Sequence, residues 1–226
     1  MLVCTRQKRI KLNDKLGLFL NDVCLPQVVS HKLLGVVIDQ NLTWSNHTVL
    51  ISNRLASKVY QLNCIKNFTN PATRKLFYFA YIQPCFDYCS SVWGHCCKSH
   101  LIRLNSLQKR SFKIILKSDK YNLDKMAELL NIPPLNIKIM FNDCVLLHRI
   151  IHESAPSYLS FLALRQPSQY FSSDLRVVIP FPSLDVMKMS FAYNSASSWN
   201  KLPLFIRTMM KTKIFRKKSV KSFGFS

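Results

Sequence analysis

Glycine is scarce: the chain has four among its 226 residues. That argues against Gly-rich loops that cradle phosphates and against an all-β fold built on tight turns. Acidic residues are scarce as well, with 11 Asp and Glu against 32 Lys and Arg. No two of those carboxylates are adjacent. Long apolar runs are missing; none approaches the roughly 18 consecutive apolar residues that read as a membrane helix. The start, Met1-Leu2-Val3-Cys4-Thr5, has no charged segment ahead of an apolar stretch, so it does not read as a secretory signal.

What is present is a core and a strong charge. Hydrophobic residues make up 48% and aromatics 12%, enough for a packed interior and too many for a disordered chain. The formal net charge is +21, which attracts polyanions, nucleic acid first among them. A membrane surface is the rival partner, but no basic stretch also carries a long apolar side, so none is expected. The eight cysteines form no small-scaffold pattern and, without a secretory signal, read as free thiols in a reducing setting, mostly buried as small hydrophobes.

The pattern runs from strand to helix. Leu16, Leu18 and Leu20 alternate along an expected strand, Asn21-Asp22 supplies a turn, and Val23 and Val28-Val29 resume extended structure. Leu33-Leu34-Gly35-Val36-Val37-Ile38 reads as one short buried strand. From Asn46 the period changes: Val49, Leu50, Leu55, Val59, Leu62 and Ile65 give a helix an apolar side. Thr69 or Asn70 caps a second helix with Pro71 at its first position, running through Leu76, Phe77, Phe79, Ala80 and Ile82 until Pro84 kinks or ends it. Short and longer helices follow over Leu123–Asn131 and Leu135–Glu153. Residues 154–187 look irregular, and 186–226 contain no acidic residue.

A third helix, Ser99–Lys117, carries the clearest functional signal. At about 100° per residue, Leu101, Leu104, Leu107, Phe112, Ile114, Ile115 and Leu116 gather on one side. Arg103, Lys109, Arg110, Lys113 and Lys117 gather on the other. Such a face neutralises phosphates without reading sequence. The plainer reading is a solvated surface, although solvated faces usually mix signs. Cys85, Cys89, His95, Cys96, Cys97 and His100 bring zinc to mind, but their spacing fits no finger, and simple packing accounts for them. Trp44, Trp93 and Trp199 sit among apolar residues, which favours core packing over base stacking. The Lys211–Lys221 tail reads equally as an RNA contact, a nuclear address or a frayed terminus.

Ordered motifs then resemble one family. Thr5-Arg6-Gln7-Lys8, Leu34-Gly35-Val36 and Leu42-Thr43-Trp44 with His47 resemble the end of the palm in non-LTR (LINE-like, jockey-type) retrotransposon reverse transcriptases. Tyr81-Ile82-Gln83-Pro84, Phe86-Asp87-Tyr88-Cys89-Ser90-Ser91-Val92-Trp93-Gly94 and Leu104–Arg110 resemble the thumb of those enzymes. Ala155-Pro156-Ser157-Tyr158-Leu159, Ser190-Phe191-Ala192-Tyr193 and Trp199-Asn200-Lys201-Leu202-Pro203 resemble their C-terminal region.

The resemblance implies an α+β, mostly α chain: a small β remnant of a polymerase palm at 1–45, a helical thumb at 46–118 and a partly irregular basic region at 119–226. It implies that Leu34 and Gly35 lie near the primer end; a buried strand with a packing Gly is the equal alternative. The family's two adjacent catalytic Asp residues have no counterpart here, so no catalytic residue is assigned and no polymerisation by this chain alone is expected. No cofactor or metal is expected for the chain itself; two divalent ions such as Mg²⁺ belong with the palm. The implied partners are an RNA–DNA duplex or another nucleic acid, and the remaining polymerase domains. A relic without function and a domesticated nucleic-acid- or protein-binding module stay open beside this reading.

Overall fold

The computed structural model describes residues 19–152, 154–163, 175–181, 188–222 and 224. Thr5-Arg6-Gln7-Lys8 and the strand expected from Leu16 to Leu18 lie outside them. Two antiparallel hairpins come first, β1 (Phe19–Leu20) with β2 (Val23–Cys24), then β3 (Ser30–Leu33) with β4 (Val36–Asp39). Helices follow: α1 (Ser45–Cys64), α2 (Pro71–Phe77), a π turn (Tyr78–Ile82), α3 (Gln83–Asp87), α4 (Ser90–Trp93), α5 (Lys98–Leu116), α6 (Leu123–Leu130) and α7 (Leu135–Ile151). A 3₁₀ segment (Ser157–Ala163) precedes α8 (Phe191–Asn200), α9 (Leu204–Arg207) and α10 (Thr212–Ser222). The chain is therefore α+β and mostly α.

Local chemistry sets several boundaries. The Asn70 side chain caps α2 by accepting from the Thr73 amide at 2.8 Å, and Asn122 caps α6 through the Lys125 amide at 2.9 Å. Asn131 closes α6 in the left-handed conformation, φ 51°. Asn21 and Asp22 form a two-residue turn, both at positive φ, as their types allow.

Three expectations are corrected. The run Leu33–Ile38 is not one buried strand: it folds back at Leu34-Gly35, where φ is 46° and 86°. Leu33 and Leu34 are 54% and 83% exposed, while Val36 is buried. Gly relieves one positive φ of a two-residue turn, and this outweighs the pull of an apolar run toward burial. In α1, Val49 and Leu50 face outward, because the buried side runs through Thr48, Ile51, Ser52, Leu55, Val59 and Leu62. Small polar residues, Thr48 and Ser52, are thus buried there while the flanking aliphatics are not. Nor does the second helix end at Pro84: the Gln83 amide reaches back to the Tyr78 carbonyl in the π turn, and helix continues through the proline. Tyr78 and Ile82 are thereby buried, while Leu76 and Phe79 face out.

Two apolar cores result. The first joins α1 to α6 and the start of α7, with Leu55, Leu62, Phe86, Trp93, Leu104, Phe112 and Met126 deep inside. It thus runs past residue 118 as far as Ile139. The second packs the later part of α7 against α8, α9 and α10 through Cys144, Leu147, Trp199, Ile206 and Phe215. Its ties are specific. His148 donates from Nε2 to the Met209 carbonyl at 2.6 Å and stacks on Phe215 at 4.2 Å. Trp199 donates to the Leu175 carbonyl at 2.8 Å, and Asn200 brackets Val177 with bonds of 3.0 and 2.9 Å.

Arg74, 2% exposed, organises the first core. Its guanidinium donates to the Ile115 carbonyl from Nε at 3.1 Å and Nη2 at 2.9 Å, to Lys66 at 2.9 Å and to Thr69. Every one of these partners is a carbonyl. Those of Lys66 and Ile115 lie where α1 and α5 run out, at the negative ends of the helix dipoles. At the opposite end Ser45 Oγ and His100 Nε2 are 3.1 Å apart, so α1 and α5 run parallel. Arg74→Met should cost ~3 kcal/mol or more, since several buried carbonyls lose their donor. Arg74→Lys should recover little of it, because a point charge cannot span three acceptors. Urea denaturation midpoints of the two variants check both statements.

Candidate nucleic-acid interface

The expected basic face is built by α5. Leu104, Phe112, Ile114 and Ile115 are buried on one side, together with Gln108 and Ser111. Gln108 fixes the helix by donating to the Tyr78 hydroxyl at 3.0 Å and the Pro133 carbonyl at 3.1 Å, and by accepting from the Leu135 amide at 2.9 Å. With that side locked inward, Arg103, Arg110 and Lys117 are exposed and Lys109 and Lys113 half-exposed. Lys117 ends the helix at φ 53°. Lys113 pairs with Asp119 at 2.9 Å, and that contact, with Lys66 nearby, holds the Asp119 carboxyl below the usual range. The other four cations have no carboxylate partner among the described residues.

Leu34 and Gly35 lie elsewhere, at the tip of the β3–β4 hairpin. A closed circuit of contacts pins this hairpin to the helices. The Tyr88 hydroxyl donates to the Leu34 carbonyl, and a Cβ added at Gly35 would sit 3.5 Å from the Tyr88 ring. Trp93 Nε1 donates to the Tyr88 carbonyl at 2.8 Å. The Trp93 ring meets His47 edge-on at 5.9 Å, and His47 Nδ1 accepts from the Val37 amide at 3.3 Å. Burial, with Arg54 nearby, keeps the His47 pKa below its ordinary value, so the ring stays a neutral acceptor. Asp39 closes the base of the hairpin, taking the amides of Asn41, Thr43 and Trp44 at 2.9–3.1 Å. Burial raises its pKa, but these bonds outweigh burial and hold it low. The residues Leu34-Gly35-Val36, Trp44 with His47, and Tyr88–Gly94, scattered in sequence, thus converge in space.

Gly94 serves a separate contact. A Cβ there would lie 2.4 Å from the Ser90 carbonyl oxygen and 2.8 Å from Ile139, so only Gly lets α4 approach α7.

The Cys and His residues go separate ways. Cys85 donates to the Tyr81 carbonyl at 3.5 Å, His95 is bound by buried Asp143 at 2.7 Å, and His100 by Ser45. Cys96 is buried, which pushes its thiol up to about 12, while Cys97 is exposed. Among the described residues no three His, Cys, Asp or Glu side chains group as metal ligands. Trp93 and Trp199 are fully buried and hydrogen-bonded, so stacking on bases is closed to them. Trp44 is half-buried against the first core.

The structure adds two cation–aromatic contacts that helical spacing did not mark. Lys58 of α1 lies over the Tyr81 ring at 5.3 Å, Tyr81 packs on Phe77 at 4.8 Å, and Lys75 approaches Phe79 at 6.0 Å. The π turn brings Tyr81 outward beside Lys58 of α1. An i, i+4 pairing of Arg54 with Lys58 was the only trace in the sequence.

Tyr88→Phe should loosen the hairpin without unfolding the helices. The expected result is faster amide exchange at Val36–Ile38 with a global stability change of about 1 kcal/mol or less. Hydrogen-exchange mass spectrometry of parent and variant checks it.

Comparison with known proteins brings a family into view. No protein-family model matches the chain, and no solved structure matches it. A probable RNA-directed DNA polymerase from transposon X-element of Drosophila melanogaster is 30% identical over 100 residues, 43% of this chain and 11% of the relative. The RNA-directed DNA polymerase from mobile element jockey of the same species is 27% identical over 127 residues, 54% of this chain and 14% of the relative. A probable RNA-directed DNA polymerase from transposon BS is 28% identical over 105 residues, covering 45% and 12%. The matched stretch is thus 11–14% of the length of these relatives. The curated relatives of this chain are RNA-directed DNA polymerases of Drosophila non-LTR retrotransposons, matched at modest identity over about half of its length.

Proposed function

We propose that the chain is the duplex-gripping thumb, with adjoining C-terminal region, of a mobile-element reverse transcriptase. The observation that carries this reading is the outward face of α5. There Arg103, Lys109, Arg110 and Lys117 stand without carboxylate partners on a helix whose opposite side is locked into the core. Cations fixed on a rigid helix hold phosphates in register whatever the base sequence. The four-cation stretch and the pinned Leu34-Gly35 tip belong to one rigid helical unit, which suits a part that positions a primer–template rather than transforms it. No two of the chain's carboxylates are adjacent in sequence, and among the described residues the buried ones, Asp39 and Asp143, bind backbone amides and His95 and do not group as metal ligands. The polymerase activity named for the relatives would then rest on residues other than these, with this chain as the clamp.

The test is binding of a labelled RNA–DNA duplex by the purified chain at several salt concentrations. It is compared with a variant carrying Arg103, Lys109, Arg110, Lys113 and Lys117 changed to Gln. Parent binding should weaken steeply with salt. In the variant the log–log slope should be shallower by about 4, from near 0.9 per phosphate contact. An unchanged slope would show that the duplex sits elsewhere.

A further inference from the structure

A cleft of about 590 Å³ opens between the two cores, and nothing in the mechanism above uses it. One wall is the α3–α4 corner with Asp87, Ser90 and Ser91; the floor is the outer side of α7; the far wall is α10. Lys138 and Arg149 stand on α7 three helical turns apart, so they share one side of that helix and bracket Asn142 between them. Arg216 enters from α10.

The charge in the cleft is unbalanced by construction. Its one carboxylate, Asp87, is already engaged. Gln83 donates to Oδ1 at 3.0 Å, Asn142 donates to the same oxygen at 3.3 Å, and Lys138 Nζ lies 3.7 Å from Oδ2. Asn142 also donates to Ser90 Oγ at 2.9 Å, which ties the α3–α4 wall to the floor. Lys138 lies over the Phe141 ring at 5.3 Å, so its charge is spent within the cleft. Among the described residues Arg149 donates to the Ser154 carbonyl alone, at 3.3 Å, and Arg216 makes no ion pair. Two exposed guanidiniums therefore face a cleft whose acid is neutralised. Planar forks of this kind suit a phosphate oxygen pair. Val145 and Leu146 supply an apolar floor.

We infer that this cleft binds the phosphodiester backbone of a single nucleic-acid strand, with Arg149 and Arg216 as its phosphate ligands. This rests on the reading of the chain as a nucleic-acid clamp and adds to it a second site on a different face. Arg149 lines the cleft from its floor and Arg216 from its far wall, so both reach a chain lying inside the recess, which a flexible single strand can enter. In a clamp holding duplex on α5, such a cleft would take an unpaired overhang.

The test uses the whole chain and a labelled 12-nucleotide single-stranded RNA of uridines, with affinity read at several salt concentrations. Arg149→Gln with Arg216→Gln should lower affinity about tenfold. It should also make the salt slope shallower by about 1.4, from roughly 0.7 per phosphate on a single strand. Arg149→Lys with Arg216→Lys should restore most of the salt dependence, which a merely structural role would not. Both side chains are exposed, and matching thermal melts show that the fold is kept. If the Gln pair leaves affinity and slope unchanged, the cleft is not the site. Loss of duplex binding in the α5 variant with single-strand binding intact supports two separate sites. The opposite outcome, in which the α5 variant alone abolishes single-strand binding, overturns the cleft and leaves the clamp standing.

Discussion

A buried guanidinium without a carboxylate sets the terms for the first core. Arg74 cannot be removed from water cheaply, and its stability in place depends on carbonyls that must all arrive together. They arrive only if α1 and α5 run side by side and end at the same level, with the Lys66–Thr69 turn folded between them. The parallel pairing of α1 and α5 fixes everything downstream: which side of α5 is buried, hence where its cations point, and where the start of α1 can receive a hairpin. A helix pair joined only by apolar contacts could slide by a turn; this one is indexed by hydrogen bonds at both ends.

The hairpin shows how short motifs become geometry. Leu34-Gly35 makes a turn, Tyr88 holds its tip, Trp93 holds Tyr88, and His47 closes the circuit back to Val37. Each contact is modest, and their value lies in being joined. The result is an exposed turn held at a fixed place on a helical unit that also carries the unpaired cations of α5. In the function proposed for the chain, such an object aligns a polyanion without reading it.

Much of this was legible in the residues. Periodicity placed α5 and its two sides, Asn70-Pro71 marked the start of α2, and the basic balance pointed to polyanions. Where the reading failed, tertiary contacts had overridden local pattern. Val49 and Leu50 read as core because they are aliphatic, but the buried side of α1 passes through Thr48, Ile51 and Ser52 instead. Leu33–Ile38 read as one strand because the apolar run hides a turn that needs a single Gly. Pro84 reads as a kink or an end, and the π turn that carries helix through it leaves no sequence mark that decides between them. Arg74 was invisible for another reason: its partners are backbone carbonyls, which have no residue type. The same holds for the α7 cleft, whose cations come from helices far apart in sequence.

The central claim is that α5 carries the nucleic acid. Photo-crosslinking of the purified chain to an RNA–DNA duplex bearing 4-thiouridine, followed by mass spectrometry of the attached peptides, addresses it directly. Crosslinks should concentrate on peptides spanning Arg103–Lys117, with a weaker set at the Leu34-Gly35 tip. Crosslinks confined to the Lys58–Tyr81 patch, or spread evenly over the lysines of α10, would contradict it.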